Sequence, residues 1–326
     1  MSRIFSGIQP SGELHIGNYL GAVKNWVRLQ REYQSIICIV DYHAITVPYE
    51  PEALRLRRRE MALSLLAAGI DPDVATLFVQ SHVPAHTELA WILNTLTPLG
   101  ELERQTQFKE KAQRQQSVNA GLLNYPVLQA ADILLYRANL VPVGEDQVQH
   151  LELSRVVARR WNAQFASEDE FFPEPQPVLT PARRIMGLDG HAKMSKSLNN
   201  TVGLLEPPDE IWKKLRPAAT DPKRIKRTDP GTPEVCNIYH IHKGFSTPAT
   251  VEHVAQQCST AGWGCIDCKR ALFESMEQEL VPIRRRADEL RANPRRLDDV
   301  LAAGAATCRS LARETMCVVR ERMGLD

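Results

Sequence analysis

Through the first half of the chain, short apolar runs alternate with stretches of helical periodicity, the pattern of a parallel sheet wrapped by helices. Residues 3–6 read as a short extended segment, followed by a turn-rich stretch, Gly7-Ile-Gln-Pro-Ser-Gly12. Ile16, Leu20, Val23 and Val27 then fall on one face of a helix ending near Gln30. Residues 36–40 predict a buried strand by length and β-branching, 52–68 a helix closed by Gly69, and 76–80 another strand. A helix over 125–137, entered through Pro126, and a short strand over 140–143 continue the alternation. Pro173, Pro175, Pro177 and Pro181 predict an ordered connecting loop. Past Asn200 the periodicity is mostly helical, clearest over 271–288 and 297–323. The expected fold class is α/β: a parallel-sheet domain over 1–200 and a smaller all-helical domain over 201–326.

A chain of 326 residues can bury a core in each of two domains. The formal net charge of +1 gives no global pull towards nucleic acid, so any such contact must come from local patches. The N-terminus lacks the apolar stretch of a signal peptide, and no apolar run reaches membrane-spanning length, so a cytoplasmic protein without a membrane partner is expected.

Two elements carry phosphate chemistry. In Pro10-Ser-Gly-Glu-Leu-His-Ile-Gly-Asn18, Gly12 and Gly17 let a nucleotide approach the backbone, and the helix that follows offers free N–H groups and its positive dipole end. His15 can donate to an oxygen as charge builds on it, and Asn18 can do so without titrating. Further on, Lys193-Met-Ser-Lys-Ser197 makes a cationic loop able to neutralise a triphosphate and a leaving pyrophosphate. Either alone could be a tight turn or a solvated charge run; together, in this order, they form a joint signal.

His15-Ile-Gly-Asn18 resembles the first signature of the class I aminoacyl-tRNA synthetases, and Lys193 to Ser197 matches the second at every position. Phe5 to Gly12, Ile39-Val-Asp-Tyr-His-Ala-Ile-Thr46, Gly100 to Glu110 and Val141-Pro-Val-Gly-Glu-Asp-Gln147 resemble the bacterial tryptophanyl-tRNA synthetases over nearly the whole chain. The resemblance implies a Rossmann-like sheet with both signatures at the carboxyl ends of its strands. It implies ATP contacts from Gln9, Pro10, Ser11, Gly17, Asn18, Gly144, Glu145, Asp146 and Ile185, and from Lys193, Met194, Ser195, Lys196 and Ser197. His15, Asn18, Lys193, Ser195 and Lys196 would be catalytic, with Mg²⁺ bridging phosphate oxygens.

Indole is an apolar plate whose ring N–H can only donate, so a selective pocket needs one well-placed acceptor. Tyr125, Gln129, Asp132 and Tyr136 share a helical face in an apolar stretch, where a carboxylate is costly without a partner. The family reading makes Asp132 the acceptor of the indole N–H; the alternative is a buried carboxylate paired with Arg137 or another base. By the same resemblance Phe5, Val141 and Val143 line the ring, Tyr125, Gln9 and Gln147 hold the ammonium and carboxylate, and His43 lies nearby. Gln129 departs from the methionine of many members.

Four of the seven cysteines, Cys236, Cys258, Cys265 and Cys268, form C-x21-C-x6-C-x2-C, which suits zinc or an iron–sulfur cluster. Asp229 to Cys236 and Cys258 to Lys269 resemble the subgroup carrying a [4Fe–4S] cluster, with zinc as the alternative. Cys38, Cys308 and Cys317 read as structural. Lys213, Lys214, Arg216, Lys223, Arg224, Lys226 and Arg227, with Arg284 to Arg286, Arg291, Arg295 and Arg296, concentrate positive charge where the resemblance places anticodon binding. The implied partners are tRNA(Trp), L-tryptophan and ATP, in a homodimer. The alternatives are a tyrosine-specific synthetase, a related nucleotidyltransferase, and a non-catalytic RNA-binding or redox-sensing paralogue.

Overall fold

The computed structural model describes residues 2–105, 108, 119–144, 148–166, 169–179 and 185–326, with 148–150, 179 and 197 described by backbone alone. Five strands, β1 (Arg3–Ile8), β2 (Gln34–Ile39), β3 (Thr76–Val79), β4 (Leu140–Val143) and β5 (Gln176–Leu179), form a wholly parallel sheet in the order β3-β2-β1-β4-β5. Strand order reverses between β1 and β4. At that switch point the carboxyl ends of the two strands splay apart and leave a crevice.

The apolar runs of β2 and β3 are buried on both faces. Ile37, Ile39, Leu77 and Val79 join one core, while Ile36, Cys38 and Phe78 join the other with Phe5. Helices α1 (Ile16–Asn18), α2 (Lys24–Leu29), α3 (Asp41–Ala44), α4 (Pro51–Ala68), α5 (Ala85–Asn94), α6 (Leu99–Glu103), α7 (Ala120–Leu134) and α8 (Val148–Phe165) accompany the sheet. After the sheet come α9 (Pro208–Leu215), α10 (Asn237–Phe245), α11 (Pro248–Ser259), α12 (Cys265–Ala292) and α13 (Pro294–Met323). The last helix returns to the sheet: Ala305, Cys308, Ala312, Met316 and Val319 enter the core that holds Phe5 and Phe78. Gly304 makes this approach possible, since a Cβ there would stand 2.0 Å from the Leu77 carbonyl oxygen.

Three predicted elements differ. The first helix is interrupted by a π-helical turn, Tyr19–Val23, between α1 and α2. The helix carrying Asp132 begins at Ala120, so Pro126 lies inside it and removes one rung of its ladder. Burial of Leu122, Tyr125 and Val127 holds the turns on either side of that gap. The proline-rich stretch supplies β5, where Pro177 is tolerated because an edge strand leaves one side of its ladder unpaired.

Candidate functional site

A cavity of about 340 Å³ opens at the switch point. That is within the ordinary range, from ~300 Å³ upward, for a small-molecule pocket. Phe5, Gln9, His43, Tyr125, Gln129, Asp132, Val141, Val143 and Gly144 all line it, with Ser6, Val40 and Ile133. Tyr136 does not. Helix α7 stops at Leu134 and Arg137 turns to positive φ (47°), which carries Tyr136 behind Phe5, its ring stacked on Phe5 at 5.7 Å between centroids. Glu145, Asp146 and Gln147 fall outside the described residues, as does the side chain of Ser197.

Asp132 is 1% exposed and, among the described residues, has three donors around it. Gln80 Nε2 donates to Oδ1 at 2.7 Å, His86 Nδ1 lies 2.7 Å from the same oxygen, and His43 Nε2 lies 2.7 Å from Oδ2. Burial raises its pKa, but the bonds from His43 and His86 outweigh that and leave it below the ordinary carboxylate value. A carboxylate has about four acceptor positions. Among the described residues, two bonds on Oδ1 and one on Oδ2 leave one position, on Oδ2, for a donor arriving in the cavity. Asp132 thus has the basic partners that the alternative of a paired carboxylate allowed, two histidines with a glutamine, in place of Arg137. Sequence reasoning missed Gln80 and His86, which are polar residues at the end of β3 and the start of α5, buried to 0% exposure. Polar side chains following the apolar run Leu77-Phe-Val79 were the available signal.

The two phosphate-handling elements come together across the chain. Ser11 N donates to Gln9 O (2.8 Å), closing a turn just ahead of Gly12, which holds φ +141°; a Cβ on Gly12 would meet Lys196 Nζ at 2.5 Å. At Gly17 a Cβ would meet His15 at 3.0 Å and the Met194 Cβ at 3.3 Å. The loop is pinned to the glycine-rich turn through Ile16 N donating to Val202 O (2.9 Å) and Leu204 N to Leu14 O (2.7 Å). Met194 and Ile185 are buried in the same core, joined by Met194 N donating to Ile185 O at 3.2 Å. Asn200, also missed from sequence, accepts from Ser195 N (2.8 Å) and donates to Asp189 (2.9 Å), bracing the lysine loop.

His15 caps α1: its Nδ1 accepts from Asn18 N (3.3 Å) while Asn18 Oδ1 accepts from His15 N (3.4 Å). With Nδ1 accepting, the neutral ring carries its proton on Nε2, free to donate. Burial, then the Lys196 and Lys193 ammoniums, push its pKa down from 6.5 to about 4. His15 is therefore expected to titrate near pH 4 when its ring protons are followed by NMR. The unfolded chain takes up this proton below about 6.5, so His15 should lower stability as pH falls from there towards 4. A midpoint at the ordinary value would show that neither burial nor the two lysines act on it. Burial, partly offset by Glu13, lowers the Lys196 pKa as well, as for a cation held partly out of water.

Cys236 caps α10, Cys265 and Cys268 lie in the first turn of α12, and Cys258 lies near the end of α11. Among the described residues no three or more His, Cys, Asp or Glu side chains stand in an arrangement that holds a metal ion. The four thiols still feel one another: burial first, then Cys236, Cys258 and Cys265, push Cys268 up to about 12. Arg224 Nη1 lies 3.8 Å from Cys258 Sγ, and a Cβ on Gly231 would meet that sulfur at 2.6 Å. Much of the nearby basic charge is paired internally, with Lys213 on Glu210, Lys214 on Glu206, Arg284 on Glu277 and Arg291 on Asp288. No helix among the described residues is long and apolar enough to cross a membrane.

A family model described as tRNA synthetases class I (W and Y) matches residues 1–281. A tryptophan–tRNA ligase of Deinococcus radiodurans is 53% identical over 329 residues, covering 99% of this chain and 99% of that protein. One from Synechocystis is 47% identical, covering 99% of this chain and 97% of that protein. The structure of tryptophanyl-tRNA synthetase from Campylobacter jejuni, complexed with ADP and tryptophan, superposes with a TM-score of 0.88 at 36% identity. That match covers 99% of this chain and 100% of the Campylobacter chain. The family spans tryptophan and tyrosine enzymes, and full-length relatives at 47–53% identity are tryptophan enzymes. With a switch-point cavity and both signatures facing one another, the chain belongs to the class I tRNA synthetases of the W and Y family, and within it to the tryptophan–tRNA ligases.

Proposed function

We propose that Asp132 reads the indole ring, using its one remaining acceptor position for the ring N–H. Phe5, Val141 and Val143 would form the walls and Gln129 the side opposite, with His43 holding Asp132 from below. Tyr125 and Gln9, with Gln147, would take the ammonium and carboxylate. The observation that carries this reading is the buried carboxylate bordering the cavity with three donors already in place. In ATP–pyrophosphate exchange, L-tryptophan should exceed the analogue whose ring N–H is replaced by sulfur by at least ~100-fold in kcat/KM. Equal values for the two substrates would overturn it.

The tryptophan carboxylate oxygen attacks the α-phosphorus of ATP, the bond to the bridging oxygen breaks, and pyrophosphate leaves with the electron pair. The acyl group then passes to a ribose hydroxyl at the 3′ end of tRNA(Trp). No protein nucleophile takes part, so the contribution of the chain is positioning and charge stabilisation. We read His15 Nε2–H and Asn18 as donors to the α-phosphate oxygens, and Lys193, Ser195 and Lys196 as holding the departing pyrophosphate. Pro10, Ser11, Gly17, Gly144, Glu145, Asp146, Ile185, Met194 and Ser197 would complete the ATP site. Mg²⁺, expected for a class I synthetase, supplies further neutralisation of the phosphates.

Residues 1–200 we take as the catalytic unit and 201–326 as the unit reading tRNA, in a homodimer expected from the family. Within the second unit we propose that Cys236, Cys258, Cys265 and Cys268 hold a [4Fe–4S] cluster. Cys236 at the start of α10 and the Cys265/Cys268 pair at the start of α12 sit where helix dipoles favour anionic sulfur, and Arg224 adds a cation. A single zinc ion would draw the sulfurs in to ~2.3 Å from one centre, whereas a cluster accepts a wider set. Its role there would be to tie three helices together. Anaerobically prepared protein should be brown, with a broad absorbance near 400 nm that Cys265→Ser abolishes. Colourless protein with stoichiometric zinc would contradict the cluster.

A further inference from the structure

We propose that His86 and Tyr136 are positioning residues for tryptophan selection: a buried hydrogen-bonded relay that holds Asp132 so that its free acceptor position faces the cavity. The relay rests on the reading of Asp132 given above. His86 Nδ1 lies 2.7 Å from Asp132 Oδ1 and His86 Nε2 lies 2.8 Å from the Tyr136 hydroxyl, with both rings 0% exposed. A carboxylate only accepts, so Nδ1 must carry the proton. On a neutral ring Nε2 then accepts from the Tyr136 O–H, which fixes the tautomer from behind. Protons thus point in one direction, from Tyr136 to His86 and from His86 to Asp132.

Neither Tyr136 nor His86 lines the cavity, so neither touches the substrate. Their influence must pass through the carboxylate. His86 is clamped by stacking on Phe78 at 5.8 Å between centroids and meets Tyr136 edge-on at 5.4 Å, which leaves its ring little freedom to rotate. Without the Tyr136 hydroxyl, Nε2 becomes a buried acceptor with no donor, and the ring loses the partner that holds it from behind. The ring then shifts off Oδ1 and the carboxylate follows it, spoiling the acceptor position on Oδ2.

The test is ATP–pyrophosphate exchange on the full chain with L-tryptophan and with the analogue in which sulfur replaces the ring N–H. Tyr136→Phe keeps the ring and its stacking, and is expected to lower kcat/KM for tryptophan about tenfold or more, as outer partners of a binding group commonly do. KM for ATP and kcat/KM for the sulfur analogue should stay unchanged, so the ratio of the two substrates collapses. His86→Leu should act in the same direction and more strongly. His86→Asn should recover part of the ratio, because its amide can still donate to Oδ1. An equal fall for both substrates, or no fall, in Tyr136→Phe while Asp132→Asn abolishes the ratio would overturn the relay. A ratio that survives Asp132→Asn would overturn the reading of Asp132 itself, and the relay with it.

Discussion

Asp132→Asn is expected to lower kcat/KM for tryptophan on the order of 10³-fold while leaving KM for ATP nearly unchanged, the scale seen when a site built around one polar contact loses it. An amide keeps one accepting oxygen and gains two N–H donors. Turned one way, its nitrogen confronts Gln80 Nε2 and His86 Nδ1; turned the other way, it confronts His43 Nε2 and the incoming indole. Neither orientation satisfies the pocket, and a buried donor facing a donor costs about 1–3 kcal/mol. Part of that cost appears as lower thermal stability, so circular dichroism at the assay temperature must accompany the kinetics. Tryptophan-dependent exchange at the parental rate in a folded variant would remove Asp132 from the site.

For Lys196→Ala the expected outcome is a fall of about 10²–10³ in kcat for adenylate formation, the usual scale for deleting one preorganised group from a developing charge. Lys196 Nζ packs against Gly12, and together with Lys193 it depresses the His15 pKa, so the cation and the neutral donor address the same space. On the reading proposed above, tryptophan binds in the switch-point cavity, which Lys196 does not line. Tryptophan affinity, measured by equilibrium titration, should therefore hold while turnover drops. Weakened tryptophan binding with normal turnover would place the lysine elsewhere in the reaction.

Several features were legible because they depend on neighbours in sequence. Residues 140–143 read as a strand and are one, and the helix over 52–68 ends at Gly69 with φ 113°, as a left-handed cap requires. Both nucleotide signatures could be placed because glycine and lysine spacing is local. The π-helical turn was not legible, since Leu20 and Val23 keep an α-helical spacing although the ladder between them slips. Nor was β5, because its prolines suit a loop and an edge strand equally. The partners of Asp132 lie 89, 52 and 46 residues away, beyond any periodicity argument.

The sequence by itself determined the alternation of strands and helices, the two phosphate-handling segments and the choice of a carboxylate on a helix beside apolar walls. Each is set by backbone preference or by the chemistry of residues a few positions apart. Tertiary structure alone decided that Asp132 is held by three donors with one position left over, that Lys196 and His15 share a site, and that α13 closes back on β3 through Gly304. These are distance relations between segments far apart in the chain, and only the packing of the sheet on its two cores sets such distances.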